Sequence, residues 1–170
     1  MRGVLERVVP DVEALFGTAE DIPLPDASVD AITVGEALHW FEPGLAQTEM
    51  HRVLRPGGGY AGLFNSWESG DPLLARLQEL VDTLRKDRGA GADWPDHQDR
   101  ARFTELEQRS FCQSRFMTVD ALAEWVASTS PVAGADSETQ ARVDADVRAL
   151  VGGDGADVMI DTDVLLAFRV

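Results

Sequence analysis

The chain has 170 residues, of which 44% are hydrophobic and 26% charged, a composition that is typical of one globular domain and excludes a wholly disordered chain. Thirty acidic residues against fifteen basic ones give a formal net charge of −15, so we expect no nucleic acid partner. No apolar run approaches the roughly 18–20 residues of a membrane span, and the first residues lack the apolar core of a signal peptide, so we predict no membrane association and a cytoplasmic location.

The first half of the sequence predicts the end of one helix, then two strands, a second helix and a third strand. In chain order we expect the end of a helix over 3–9, a short strand over 12–16, a strand over 31–34, a helix over 43–54 and a strand over 59–64. The run 31–34 is mostly apolar, as is typical of a strand buried on both faces of a parallel sheet. Strand, helix, Pro-Gly turn and strand within about 35 residues indicate a βαβ crossover.

The second half predicts mainly amphipathic helices and a terminal strand. We expect a helix over 72–88, a polar loop over 89–100, a strand over 103–111, a helix capped by Thr118, a helix opened by a capping box at Ser137, a loop over 152–155 and a strand over 164–170. The lone Cys112 excludes an intramolecular disulfide, and we interpret it as a small buried hydrophobic side chain. The three histidines have no ligand spacing, so we predict no metal site.

Three blocks of sequence suggest chemistry. The first is Gly17-Thr18-Ala19-Glu20-Asp21-Ile22-Pro23-Leu24-Pro25-Asp26, followed by Ser28-Val29-Asp30; the second is Gly35-Glu36-Ala37-Leu38-His39-Trp40-Phe41; the third is Arg52-Val53-Leu54-Arg55-Pro56-Gly57-Gly58. Each block alone is a weak signal. In this order and at these separations they resemble the second half of a class I S-adenosylmethionine (SAM)-dependent methyltransferase domain, of the branch called methyltransferase type 11. The resemblance spans most of the chain and is strongest over residues 12–66.

This resemblance implies an α/β fold with a Rossmann-like sheet, mostly parallel with an antiparallel C-terminal strand and helices on both faces, and a cofactor outside the carboxyl ends of the strands. It implies SAM as the cofactor and a small-molecule methyl acceptor as the substrate. The family commonly has Asp where this chain has Thr18, whose hydroxyl accepts a hydrogen bond from the adenine amine less strongly than a carboxylate would. The implied site consists of cofactor contacts at Thr18, Ala19, Glu20, Gly35 and Glu36, a catalytic base or orienting group at His39, and substrate-lining residues Trp40 and Trp67.

The family also has a Gly-rich strand-to-helix turn and a later acidic strand end, and neither has a counterpart before Gly17. We therefore expect a single methyltransferase-like domain over 1–170 that is N-terminally truncated, lacks the first two strands and has a substrate-side helical and loop region over 67–118. The loss predicts a cofactor-deficient chain. It also predicts an exposed apolar sheet edge, and with it instability, rearrangement or association.

Two functions remain open from the sequence. One is an enzyme domain that transfers a methyl group from SAM to a small molecule. The other is a non-catalytic, methyltransferase-like remnant that completes its sheet with a partner or with a second copy, as a homodimer through the exposed edge. Three residues also have alternative, structural interpretations: His39 as a loop histidine packed beside an aromatic ring, Glu20 as a solvated loop acid, and Trp94 as a loop anchor.

Overall fold

A computed structural model of the chain describes residues 2–66, 70–85 and 94–170, and these form an α/β fold. Its sheet has four strands in the order β1-β2-β4-β3: β1 Val29–Gly35, β2 Leu54–Ser66, β3 Glu107–Thr118 and β4 Gly155–Phe168. The helices are α1 Arg2–Val8, α2 Pro43–Val53, α3 Pro72–Asp82, α4 Val119–Ser128, α5 Ser130–Ala133 and α6 Ser137–Val151, with 3₁₀ turns at Leu38–Trp40 and Trp94–His97. The predicted α/β class is confirmed. None of the described helices is long and apolar enough to cross a membrane.

The chain divides into two compact units. Unit 1 comprises Met1–Gly62, Ala92–Glu107 and Leu165–Val170, and unit 2 comprises Leu63–Gly91 and Gln108–Val164. All the described residues that the sequence marks as a cofactor or catalytic site belong to unit 1. Trp67, the remaining predicted substrate-lining residue, lies outside the described residues.

Unit 2 has a helical core formed by α3, α4, α5 and α6 with part of β4. Each of its three longer helices starts at a capping side chain: Asp71 before α3, Thr118 before α4 and Asp136 before α6. These oxygens accept bonds from N–H groups that have no partner within the helix, which fixes where each helix begins. The buried side chains of this core are Leu74, Leu77, Val81, Leu122, Ala123, Val126, Val132, Val143, Val147, Val158 and Ile160.

Unit 1 is organised around α2, which joins β1 to β2. Pro43 occupies the first turn of α2, where its missing N–H leaves no bond unmade, and Glu42 caps the helix by accepting a hydrogen bond from the Leu45 N–H at 2.7 Å. The inner face of α2 is fully buried. Buried apolar side chains of this unit include Leu38, Ala46, Met50, Val53, Leu54, Tyr60, Trp94, Phe103 and Ala167.

Residues 12–16 do not form the predicted strand. Val12, Leu15 and Phe16 are exposed, and Phe16 is 86% exposed. A strand needs a neighbouring strand for its N–H and C=O groups, and none of the described strands pairs with this segment. The apolar content of this segment was therefore a misleading signal.

Further predictions need correction. The Pro-Gly turn expected after α2 lies within β2, which starts at Leu54 rather than at residue 59, and the terminal strand expected over 164–170 is β4, Gly155–Phe168. The strand expected over 103–111 lies instead at Glu107–Thr118, and Cys112 within it is exposed rather than buried. The helix expected to begin at Ser137 is capped by Asp136, whose carboxylate accepts a hydrogen bond from the Thr139 N–H at 2.8 Å. A carboxylate one residue earlier reaches the same free donors, and its charge suits the positive end of the helix dipole. The helix expected over 72–88 ends at Asp82, and residues 86–88 lie outside the described residues.

Candidate functional site

The predicted adenine loop is a tight turn in unit 1. Thr18 and Asp21 form an isolated antiparallel bridge, with both N–H···O distances at 3.3 Å, and Ala19 and Glu20 lie between them. Gly17 leads into this turn at a point where a side chain would not fit, because an added Cβ would lie 2.4 Å from Pro23 Cδ. The glycine is thus required by the fold of the turn itself.

Glu20 connects the tip of this turn to the start of α2. Its Oε1 accepts a hydrogen bond from the Glu42 N–H at 3.0 Å. This bond, assisted by one from the Thr18 hydroxyl, holds the pKa of Glu20 below its usual range despite partial desolvation. The contact places the turn beside the segment that follows β1, and it gives Glu20 a structural partner that the sequence did not reveal.

The carboxyl end of β1 has an unusual backbone. Glu36 has φ 54°, a left-handed conformation that costs free energy for a residue other than glycine and is found preferentially at functional sites. At Gly35, immediately before it, an added Cβ would meet nothing within 4 Å. The strand end is therefore open to a ligand, and the chain turns sharply away from it.

The 3₁₀ turn that follows carries the predicted catalytic and substrate-lining residues. Leu38 is fully buried and anchors the turn, whereas Trp40 is 68% exposed. The His39 and Trp40 rings lie with centroids 5.0 Å apart, tilted by 44°. This contact agrees with a purely structural role for His39, as a loop histidine packed against an aromatic ring, and it is equally compatible with a role in catalysis.

Trp94 belongs to a buried anchor, whereas His97 is exposed and contributes its backbone carbonyl. The Trp94 indole N–H donates to Tyr60 Oη at 2.9 Å, and the Tyr60 hydroxyl donates to Gln98 Oε1 at 2.6 Å. The His97 carbonyl accepts from the buried Gln47 amide at 2.8 Å. With Trp94 only 3% exposed, the structure favours the loop-anchor interpretation of this residue.

Two residues that shape the site were not predicted to do so, although Arg52 is part of the third sequence block. Arg52 and Glu49, on α2, hold the loop that follows the adenine turn through a set of side-chain hydrogen bonds. Their spacing of three residues on a helix was a visible signal for an ion pair, but their loop partners lie more than twenty residues away in sequence. In the part of the chain that the structure describes, no group of three or more His, Cys, Asp or Glu side chains could hold a metal ion.

Comparisons with known proteins identify proteins that are similar to this chain. Residues 2–61 match the model of a family described as a methyltransferase domain. An uncharacterised methyltransferase of Mycobacterium tuberculosis is 39% identical over 134 residues, which are 76% of this chain and 51% of that protein. An uncharacterised methyltransferase-like protein of Schizosaccharomyces pombe is 29% identical over 153 residues, covering 86% of this chain and 58% of that protein. The chain thus spans about half the length of the curated relatives it matches.

A solved structure agrees with this similarity over most of the chain. A candidate type II methyltransferase from Anaeromyxobacter dehalogenans superposes with a TM-score of 0.61 and 25% identity, covering 94% of this chain and 72% of that one. A candidate methyltransferase from Bacillus halodurans, at 21% identity and a TM-score of 0.52, shares the fold. Sequence and structure therefore point to the same class of domain.

Proposed function

We propose that this chain, which resembles methyltransferase domains in its sequence over residues 2–61 and in its fold, forms part of a SAM-dependent methyltransferase that acts on a small molecule. One observation carries the proposal. The hydrogen bond from the Glu42 N–H to Glu20 brings the predicted adenine turn against the segment that leads from β1 through His39 to α2. Residues that are distant in sequence thereby frame one open strand end.

The residues present fit such a cofactor. Bound SAM supplies a methyl group on a positively charged sulfur, which a nucleophilic atom of the acceptor attacks directly. The Thr18 hydroxyl donates to Glu20 and can still accept from an exocyclic amine, so Thr18, Ala19 and Glu20 suit the adenine end. The open backbone at Gly35 permits close approach, and the Glu36 carboxylate suits a positively charged ligand.

The acceptor side of the proposed site begins at the 3₁₀ turn. Trp40 offers an exposed aromatic surface against which a small molecule can stack. Trp67, which lies outside the described residues, stays a proposed substrate-lining residue on the sequence alone. His39, beside Trp40, is proposed to orient the acceptor or to take its proton. Alignment of donor and acceptor and exclusion of water are the main contributions expected of the protein in such a displacement.

We further propose that this chain binds the cofactor weakly on its own. The sequence has no Gly-rich turn between a strand and a following helix; its one run of three glycines, Gly57-Gly58-Gly59, lies within β2. Backbone N–H groups of such a turn supply much of the affinity for nucleotide-type ligands. We expect a dissociation constant of about 1 mM, equivalent to about 4 kcal/mol of binding free energy.

A titration with S-adenosylhomocysteine, the demethylated product, followed by amide chemical shifts in NMR tests both proposals. We expect shifts at the Thr18, Ala19, Gly35 and Glu36 amides, with weak affinity. The variant Thr18→Val should weaken binding about three- to tenfold through loss of one hydrogen bond, whereas Thr48→Val, at an exposed hydroxyl on α2, should not. Micromolar binding would refute the proposed deficiency, and the absence of shifts at saturating ligand would refute the site.

The second candidate function is the non-catalytic remnant that completes its sheet with a partner or a second copy. The observation in its favour is an exposed apolar surface on α1 and the segment after it, formed by Val4, Leu5, Val8, Val9, Val12, Leu15 and Phe16. Exposed apolar patches of this kind are typical of interaction surfaces. Under this proposal the chain forms a homodimer, and Phe16→Ser weakens it, whereas Leu45→Ser, at an exposed apolar side chain on α2, does not. Light scattering after size-exclusion chromatography measures the mass of both variants.

A further inference from the structure

The loop between the adenine turn and β1 is held mainly by side chains of α2. Arg52 donates from Nη2 to the Ile22 carbonyl at 2.8 Å and from Nη1 to the Leu24 carbonyl at 2.7 Å. The same Nη1 donates to Asp26 Oδ1 at 2.9 Å. One guanidinium thus contacts three positions of a five-residue segment.

Glu49 completes this contact from the same face of α2. Its Oε2 accepts from the Ile22 N–H at 3.0 Å, and its two oxygens accept from Arg52 Nε at 2.8 Å and Nη2 at 2.6 Å. The hydrogen bonds from Arg52 lower the pKa of Glu49 to about 2, so the pair is fully charged at neutral pH. The bidentate geometry fixes both side chains, and this makes the pair a more rigid support than an ordinary surface salt bridge.

The loop has few means of holding its own shape. Pro23 and Pro25 lack N–H groups, so they cannot donate to any ladder of backbone hydrogen bonds. Within the segment, the Leu24 N–H donates to the Ile22 carbonyl at 2.8 Å and the Ser28 hydroxyl to the Pro25 carbonyl at 2.7 Å. Arg52 supplies side-chain donors to the Ile22 and Leu24 carbonyls, and its own carbonyl accepts from the Ala27 N–H at 2.9 Å.

Helix α2 therefore fixes this part of the chain at two separate points. Near its N-terminus the Glu42 N–H holds Glu20, and near its C-terminus Arg52 and Glu49 hold Ile22 and Leu24. The Thr18–Asp21 turn contains the first of these points, Glu20, and ends one residue before the second, Ile22. A turn of this kind, whose own two backbone bonds are 3.3 Å long, keeps its geometry only if both sides are supported.

We infer that Arg52 and Glu49 are positioning residues, which hold the 22–26 loop so that Thr18, Ala19 and Glu20 are presented to the cofactor in a single conformation. The identity of the ligand in this inference rests on the proposed function. The effect of the two residues on the loop follows from their hydrogen bonds alone. Arg52 cannot be replaced by lysine in this role, because an ammonium group has no planar fork with which to reach two carbonyls and a carboxylate together.

The test compares Arg52→Lys with the matched control Arg55→Lys. Arg55 lies just after the same helix and pairs with Asp30 at 2.6 Å, without contact to the loop. Hydrogen exchange is measured at the Asp21 and Ile22 amides, and at Val34 and Tyr60 as reporters of the core. We expect exchange at the loop amides to accelerate about tenfold or more in Arg52→Lys, with the core reporters and Arg55→Lys unchanged.

A second variant and a second measurement keep the inference testable if Arg52→Lys folds poorly. Glu49→Gln retains a carbonyl oxygen for the Ile22 N–H but loses the charge, so we expect a smaller acceleration confined to the same amides. In both variants the shifts induced by about 1 mM S-adenosylhomocysteine at Thr18 and Ala19 should fall at least threefold, a change that a loss of global stability alone would not produce while the core stays protected.

The outcomes separate the two proposals. Unchanged loop exchange in Arg52→Lys, or equal acceleration at the loop and the core, overturns the positioning role whatever the ligand does. If the unmodified chain shows no ligand-induced shifts but the loop exchange responds as expected, the cofactor assignment fails while the support of the loop by α2 stands. Loop acceleration without any change in ligand affinity overturns the link between them.

Discussion

Replacement of Tyr60 by phenylalanine removes one oxygen from a hydrogen-bonded aromatic cluster of unit 1. The Tyr60 hydroxyl accepts from the Trp94 indole at 2.9 Å and donates to Gln98 at 2.6 Å. Burial raises the pKa of Tyr60 in spite of these two hydrogen bonds, so the phenol remains protonated and acts as a donor throughout the physiological range. Its ring also packs edge-on against Phe103 with centroids 5.1 Å apart, a contact that the substitution leaves intact.

The loss of stability in Tyr60→Phe depends on which polar groups lose their hydrogen-bond partner. Trp94 is 3% exposed, so its N–H cannot turn to water and bears most of the cost of an unsatisfied buried donor, about 1–3 kcal/mol. Gln98 is only half-buried and can bind water in place of the hydroxyl, so it adds little. We therefore expect Tyr60→Phe to destabilise unit 1 by about 2 kcal/mol, which is about a thirtyfold change in its opening equilibrium.

Exchange of the Trp94 indole proton, resolved by NMR, measures this change directly, and urea unfolding gives an independent value. The double variant Tyr60→Phe/Trp94→Phe removes the stranded donor as well, so it should be less destabilised than the sum of the two single variants. A loss below about 0.5 kcal/mol in Tyr60→Phe, or strictly additive variants, would refute the assignment of the cost to the orphaned indole.

Three further predictions concern close packing, pH and a helix cap. Gly59→Ala should destabilise the chain by about 1–3 kcal/mol in urea unfolding, because its Cβ would lie 2.7 Å from the Ala167 carbonyl, whereas Gly35→Ala should leave stability unchanged and weaken cofactor binding. Burial, with repulsion from nearby arginines, holds the pKa of His51 below its usual range. As the pH falls below about 6.5, the unfolded state therefore takes up the proton more readily than the folded state, and the folded state loses stability. His51→Gln should flatten this slope in unfolding measured between about pH 5 and 7.5. Burial disfavours the charged form of Asp71, but hydrogen bonds from three backbone N–H groups outweigh this and lower its pKa. Asp71→Asn should therefore cost about 1 kcal/mol of stability at pH 7, and less at acid pH once Asp71 itself is protonated. Thermal unfolding at a series of pH values measures this difference.

Local signals in the sequence predicted the helices well. The helix expected over 43–54 is found at Pro43–Val53, because proline at its first turn and the Pro56-Gly57 pair beyond its end act within a few residues of the boundary. The capping role of Thr118 was predicted for the same reason and is confirmed by its hydrogen bond from the Ala121 N–H at 3.2 Å. Such features depend on the chain only over one helical turn.

Strands and side-chain partners were predicted less well, since they depend on residues far along the chain. Nothing within residues 12–16 shows whether a neighbouring strand is present, so the apolar pattern alone gave a wrong strand. Gln47 and the His97 carbonyl are separated by 50 residues, and no local pattern marks them as partners. The sequence indicated that Glu20 is a loop residue, and the structure places it in a turn, but the bond from Glu42 to Glu20 could not be predicted without the fold.

The two compact units are interleaved along the chain. Unit 1 is assembled from three stretches and unit 2 from two, and both β2 and β4 contribute residues to each of them. Neither unit can therefore be inherited, exchanged or expressed as one continuous cassette. A single genetic crossover between residues 62 and 63 would take unit 2 from one parent but leave unit 1 mixed, and exchange of unit 2 alone would require a crossover at each of its four boundaries.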